Sequence, residues 1–151
     1  MYRKVLVPLD GSKLAECALD QVKMMVKEGF AGEVTLLNVV HIDAPYSELY
    51  GKHFDINVMR KAYFDSARKY LADVEARLAT EGIRVKTEVV EHNRPAPAIT
   101  EYALKNGVDL IVIATHGYTG LKKLMLGSVA LSILHESPTP VLLIRPEACG
   151  L

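Results

Sequence analysis

The run Ala114-Thr115-His116-Gly117, followed after nine residues by Gly127-Ser128, has the residue types and spacing of an anion-binding loop. An apolar stretch, Leu110-Ile111-Val112-Ile113, precedes it and reads as a buried strand, and Val129-Ala130-Leu131-Ser132-Ile133-Leu134 follows it and reads as a helix. The first N–H groups of a helix lack backbone acceptors. The helix dipole adds partial positive charge at the same end. A phosphate satisfies both where glycines let the backbone come close. His116 could donate to such a phosphate or face water, and Lys122 and Lys123 could neutralise it or simply solvate a helical turn. Gly127-Ser128 by itself would mark no more than a helix start with Ser128 as N-cap.

These residues need a scaffold, and the chain supplies one by alternation. Val5 to Leu9 reads as a strand ending at the turn Asp10-Gly11-Ser12. Leu14, Ala15, Ala18, Leu19, Val22 and Val26 recur at helical spacing, with Ser12 as N-cap and Gly29 or Gly32 as the stop. Val34 to Val40 is a second strand. Tyr63, Ala67, Tyr70, Leu71, Val74 and Leu78 mark one face of a long helix ended by Gly82, with Asp65–Lys69 and Asp73–Arg77 on its outer side. Ile83, Val85, Thr87 and Val89 alternate with charged residues, as in an edge strand. A helix over Ala98 to Asn106 precedes the strand Leu110 to Ala114, and Val141 to Ile144 is the fifth strand.

The order β-α-β-α-β-α-β-α-β predicts an α/β fold: an open five-stranded parallel sheet with helices on both faces. Strands 1 and 4, apolar throughout, belong at the centre. Right-handed crossovers then give the strand order 3-2-1-4-5. The winding reverses between strands 1 and 4, and ligands bind beyond the carboxyl ends of strands at such a reversal. Asp10 and Ala114 both fall there. Asp10 could face a ligand or cap a turn. Tyr46, Tyr50 and Phe54, in an irregular stretch from Asp43 to Asn57, could form a lid or pack under a long loop.

Composition narrows the function. The 151 residues predict one domain, 1–151, with formal net charge of zero. That balance argues against nucleic acid or a membrane surface as partner. The start runs straight into a strand, which predicts no signal peptide and a cytoplasmic location. Cys17 and Cys149 could form a disulfide, although nothing in the sequence demands one. His41, His53, His92 and His135 have no metal-ligand spacing. There is no G-x-x-x-x-G-K-[ST] and no G-x-G-x-x-G, which sets aside P-loop and dinucleotide-binding motifs.

With Lys4-Val5-Leu6-Val7-Pro8-Leu9-Asp10-Gly11-Ser12 at one end and Pro140-Val141-Leu142-Leu143-Ile144-Arg145-Pro146 at the other, the chain resembles the universal stress protein family along its whole length. The nucleotide-binding branch of that family carries glycine, two residues, glycine, nine residues, glycine and Ser/Thr. Gly117, Gly127 and Ser128 match, and Ala114 stands in place of the first glycine. A β-carbon there would strain a backbone of positive φ or crowd a close ligand.

The resemblance implies a Rossmann-like, adenine nucleotide alpha hydrolase-like fold that binds ATP or AMP, with Mg²⁺ accompanying ATP. It implies Pro8 and Leu9 as pocket floor. Asp10 would meet the ribose, or Mg²⁺ through water, with no direct metal ligand. Val39 or Val40 would meet the adenine through backbone groups, and Ile113 and Val129 would flank the phosphate loop. It also implies a homodimer through strand 5 (Val141, Leu142, Leu143, Ile144), an edge whose lack of charge invites pairing.

The function so implied is a dimeric stress-response regulator or sensor read by an unknown protein partner. The alternatives are a slow ATPase, for which no catalytic residue stands out, and an adaptor of the same fold that binds no nucleotide.

Overall fold

The structure, a computed structural model, describes residues 1–43, 55–116 and 126–150. The strands are β1 (Tyr2–Pro8), β2 (Ala31–Val40), β3 (Lys86–Glu91), β4 (Leu110–Ala114) and β5 (Val141–Ile144). The helices are α1 (Lys13–Glu16), α2 (Ala18–Lys27), α3 (Ile56–Thr80), α4 (Pro95–Lys105) and α5 (Ser128–Glu136), followed by a 3₁₀ turn at Pro146–Cys149. The strands form one parallel sheet in the order β3-β2-β1-β4-β5.

Residue parity along the central strands sorts the core into two layers, because successive side chains of a strand point to opposite faces. Val5 and Val7 of β1, with Val34 and Leu36 of β2, pack under α1, α2 and α3. Leu6, Leu37, Ile111 and Ile113 pack on the other face under α4 and α5. The helix after β1 packs on one face and the helix after β4 on the other, which leaves a crevice beyond the ends of those two strands.

Several boundaries differ from the sequence pattern. The first helical pattern is two helices broken at Cys17, whose N–H bonds Leu14 O at 3.2 Å in a tighter turn. Gly29 follows the end of α2, while Gly32 lies inside β2. α3 begins at Ile56, capped by the Asp55 carboxylate accepting from Asn57 N at 2.9 Å, so the irregular stretch stops before Asn57. Tyr46, Tyr50 and Phe54 lie outside the described residues. Tyr63 is 48% exposed and leaves the apolar face to Ala67, Leu71, Val74 and Leu78. On the outer face Asp65 pairs with Lys61 and Arg68 rather than Lys69, and Arg77 reaches Glu16. β3 starts at Lys86: Ile83 is buried at the end of α3, where its N–H bonds Leu78 O, and Val85 precedes the strand. The two cysteines are joined: Cys149 at the end of the 3₁₀ turn is disulfide-bonded to Cys17.

Candidate functional site

The chain leaving β1 is fastened to β2. Leu9 N–H donates to Leu37 O at 2.9 Å, and Asn38 Nδ2 donates to Leu9 O at 2.9 Å. Asp10 Oδ1 then accepts from Ser12 N at 2.9 Å and from Ser12 Oγ at 2.6 Å. Gly11, with φ of 90°, makes that turn in a conformation side-chain-bearing residues avoid. Ser12 caps α1 by accepting from Ala15 N at 3.1 Å, as the sequence predicts. The turn-capping reading of Asp10 therefore holds, at the mouth of the crevice.

α1 is anchored from behind. Its Glu16 accepts from Tyr70 Oη at 3.0 Å and from Arg77 at 2.8 Å, both on α3. Burial, and after it the neighbouring Glu16 carboxylate, pushes the Tyr70 hydroxyl far above the ordinary phenol value. Tyr70 is therefore a neutral donor throughout the physiological range, and the wall carrying Ala15 is held by a fixed hydrogen bond.

The opposite wall starts at Ala114, the last residue of β4, paired with Ile144. No non-glycine residue among those described has positive φ, so Ala114 carries none of the backbone strain its position raised. Thr115 N donates to Ile144 O at 2.8 Å, and Thr115 O accepts from Gly127 N at 2.6 Å. That bond brings the start of α5 against the end of β4. Gly127 is the N-cap of α5, with φ of −60°. Its need for glycine is contact, not conformation: a β-carbon would lie 3.0 Å from Thr115 O and 3.6 Å from His116 Cα.

Ser128 is thus the first helical residue rather than the cap, and among the described residues no side chain caps the helix start. The helix closes its first bond at Leu131 N to Gly127 O, 2.9 Å. The amides of Ser128, Val129 and Ala130 are left without helical acceptors. α4 also begins at the crevice without a side-chain cap, but two of its first residues are Pro95 and Pro97. Neither carries an N–H. One helix start therefore offers donors and the other an apolar surface.

Between these walls lies a cavity of about 330 Å³. Pro8, Leu9 and Asp10 line it from the end of β1, and Val39 from β2. Ile113, Ala114 and His116 line it from the end of β4, and Gly127, Ser128 and Val129 from α5. Val40 does not: it is 7% exposed and follows Val39, whose side chain points to the other face. Gly117, Lys122 and Lys123 lie outside the described residues.

The cavity also takes Ala15, Leu37, Pro95, Ile99, Thr115 and Ala130, which the sequence did not single out. Leu37 was within reach, since it shares a face with Val39 two residues on. Pro95 and Ile99 arrive only through the docking of α4. His116 Nε2 is buried without a hydrogen-bond partner among the described residues. Among the described residues no three His, Cys, Asp or Glu are placed to hold a metal ion, and no helix is long and apolar enough to cross a membrane.

Known proteins match this chain end to end. A universal stress protein of Bacillus subtilis, YxiE, is 32% identical over 96% of this chain and 100% of its own length. Universal stress protein MJ0577 of Methanocaldococcus jannaschii is 32% identical, and its solved structure superposes with a TM-score of 0.78 over 96% of each chain. A universal stress protein solved in complex with cAMP shares the fold at a TM-score of 0.62 and 20% identity, over 96% of this chain and 98% of that one. The model of the Universal stress protein family matches residues 1–145. On that match and those relatives, the chain belongs to the universal stress protein family.

Proposed function

We propose that this protein binds an adenine nucleotide, ATP or AMP, and acts as a dimeric stress-response regulator read by a protein partner. The observation that carries the reading is the bare start of α5, whose amides open on a cavity of about 330 Å³ at the winding reversal. Small-molecule sites span about 300–1,000 Å³, so the volume suits one mononucleotide. Phosphoryl groups fit the α5 end, where donors and the helix dipole act together. The base fits the apolar side made by Leu37, Val39, Pro95 and Ile99. The cAMP held by a relative of this fold supports adenine as that base.

Asp10 sits between the two regions in this reading. A carboxylate beside phosphates is repulsive unless a ribose hydroxyl or a hydrated cation intervenes, and Mg²⁺ commonly keeps several waters. Asp10 is therefore assigned to the ribose, or to Mg²⁺ through water. Binding rather than turnover is part of the same proposal, and the engagement of Asp10 Oδ1 by both Ser12 donors supports a positioned rather than a reacting carboxylate. Isothermal titration with ATP and AMP, each with Mg²⁺, tests the proposal. Saturable heat supports it, and no heat with either ligand leaves the adaptor reading.

The dimer is assigned to β5. Val141 to Ile144 carries no charge and pairs with β4 on one side. Leu131 and Leu134 of α5, the helix packed beside β5, are 40% and 47% exposed. A two-fold pairing of β5 with its copy would cover both edge and leucines. Val141→Lys places a charge on that edge and is expected to turn the dimer mass in light scattering into a monomer mass. An unchanged dimer would move the interface elsewhere. Cytoplasmic location belongs to the same proposal.

A further inference from the structure

We propose that Thr115 fixes the tautomer of His116 so that the imidazole Nε2–H donates to a phosphoryl oxygen of the bound nucleotide. The inference rests on the nucleotide reading of the cavity and adds a positioning residue to it.

Thr115 is 4% exposed, and both its main-chain groups are committed, N–H to Ile144 O and C=O to Gly127 N. It is held between β5 and the start of α5. Its Oγ1 lies 2.9 Å from His116 Nδ1, and the described residues give that hydroxyl no other partner. His116 lines the cavity, and its Nε2 is buried with no hydrogen-bond partner among the described residues.

Two proton arrangements fit the 2.9 Å contact. If Nδ1–H donates to Thr115 Oγ1, the buried threonine proton has no acceptor among the described residues and Nε2 is an unpaired acceptor among them as well. If the threonine hydroxyl donates to Nδ1, a single group is left over, the Nε2–H. An unmet buried donor or acceptor costs about 1–3 kcal/mol, so the second arrangement is favoured.

The lone leftover donor has a matching neighbour. His116 Cα is 3.6 Å from where a β-carbon on Gly127 would sit, and His116 lines the same cavity as Ser128, Val129 and Ala130 at the start of α5. An imidazole N–H and helix amides that belong to residues lining one cavity suit an anion. A cation or a hydroxyl hydrogen would find no lone pair there.

The test uses the full chain and AMP as probe. Long-range ¹H–¹⁵N spectra of the ligand-free protein are expected to show His116 as the Nε2–H tautomer. Thr115→Val is expected to mix the tautomers and to weaken AMP binding several-fold. Thr115→Ser, which keeps the hydroxyl, is expected to restore both readings. His116→Ala is expected to weaken AMP by roughly tenfold, the size of one hydrogen bond to a charged group. Adding Thr115→Val to it should change nothing more, since Thr115 acts through the ring. An Nδ1–H tautomer in a protein that binds AMP, or additive losses in the double variant, overturns the assignment of Thr115. No AMP binding by the unaltered protein overturns the nucleotide reading itself.

Discussion

Gly127→Val is expected to lower the affinity for ATP and AMP roughly ten- to hundredfold while leaving a folded protein. Even the first carbon of a side chain would meet Thr115 O at 3.0 Å, and the branched methyls of valine add crowding. That oxygen is main chain, held by a hydrogen bond from Gly127 N at 2.6 Å, so it cannot swing aside. The start of α5 must move off the end of β4. The amides of Ser128, Val129 and Ala130 move with it and lose their aim at a bound phosphate. A hydrogen bond to a charged group contributes about 1.5–3 kcal/mol, and each 1.4 kcal/mol is tenfold in affinity, so losing one or two gives the stated range. The cost to the fold should be small, because α5 keeps Ala130 and Ile133 buried. Titration calorimetry reads the affinity, and circular dichroism melting shows that the helices persist. Undiminished affinity in the valine variant would mean that the phosphates are held elsewhere.

Cys149→Ser is expected to cost about 2–4 kcal/mol of stability relative to the disulfide-bonded protein. The bond joins residues 132 apart in sequence, nearly the full chain. A cross-link stabilises mainly by removing conformations from the unfolded chain, and chain-entropy arguments give about 4–5 kcal/mol for a loop near 100 residues. Measured effects fall below that figure, hence the lower range. Little else is lost in the native state, since Cys149 ends a short 3₁₀ turn after the last strand. For a domain of this size 1 kcal/mol moves Tm by about 2–4 °C, so a drop of roughly 5–15 °C is expected. Excess dithiothreitol should lower the unaltered protein by the same amount and leave the serine variant where it is. Equal melting with and without reductant would show that the cross-link adds nothing.

The same residues show what a sequence reveals and what it withholds. Strand order followed from hydropathy: Val5–Leu9 and Leu110–Ala114 are apolar on both faces, and the charged alternation around Thr87–Val89 marks an edge. Those patterns report how many faces an element buries, which is a local property. The disulfide is not local. Cys17 and Cys149 meet only because the chain after β5 turns back toward the α1–α2 junction. Of the two concerns raised at Ala114, strain and crowding of a ligand, the first is removed, because it is an ordinary strand residue paired with Ile144 and without positive φ.

The site divides in the same way. Asp10 and Ala114 could be placed because topology fixes where strand ends lie, whereas Pro8 and Ile113 came through the family resemblance; all four line the cavity. Thr115 stood inside the quoted loop, yet its bond to His116 needed coordinates. Pro95 and Ile99 enter through helix packing, which depends on side-chain volumes across the sheet. Of Val39 and Val40, expected to meet the adenine through backbone groups, Val39 lines the cavity, while the period of two along β2 turns the Val40 side chain to the other face.

The most direct test of the account follows the backbone amides of Ser128, Val129 and Ala130 by ¹H–¹⁵N correlation spectra during titration with AMP and, separately, adenosine. The account predicts that AMP shifts these amides more than any other described part of the chain and that adenosine, lacking the phosphate, leaves them nearly in place. Shifts of equal size with both ligands, or amides that stay still while AMP binds, would contradict it.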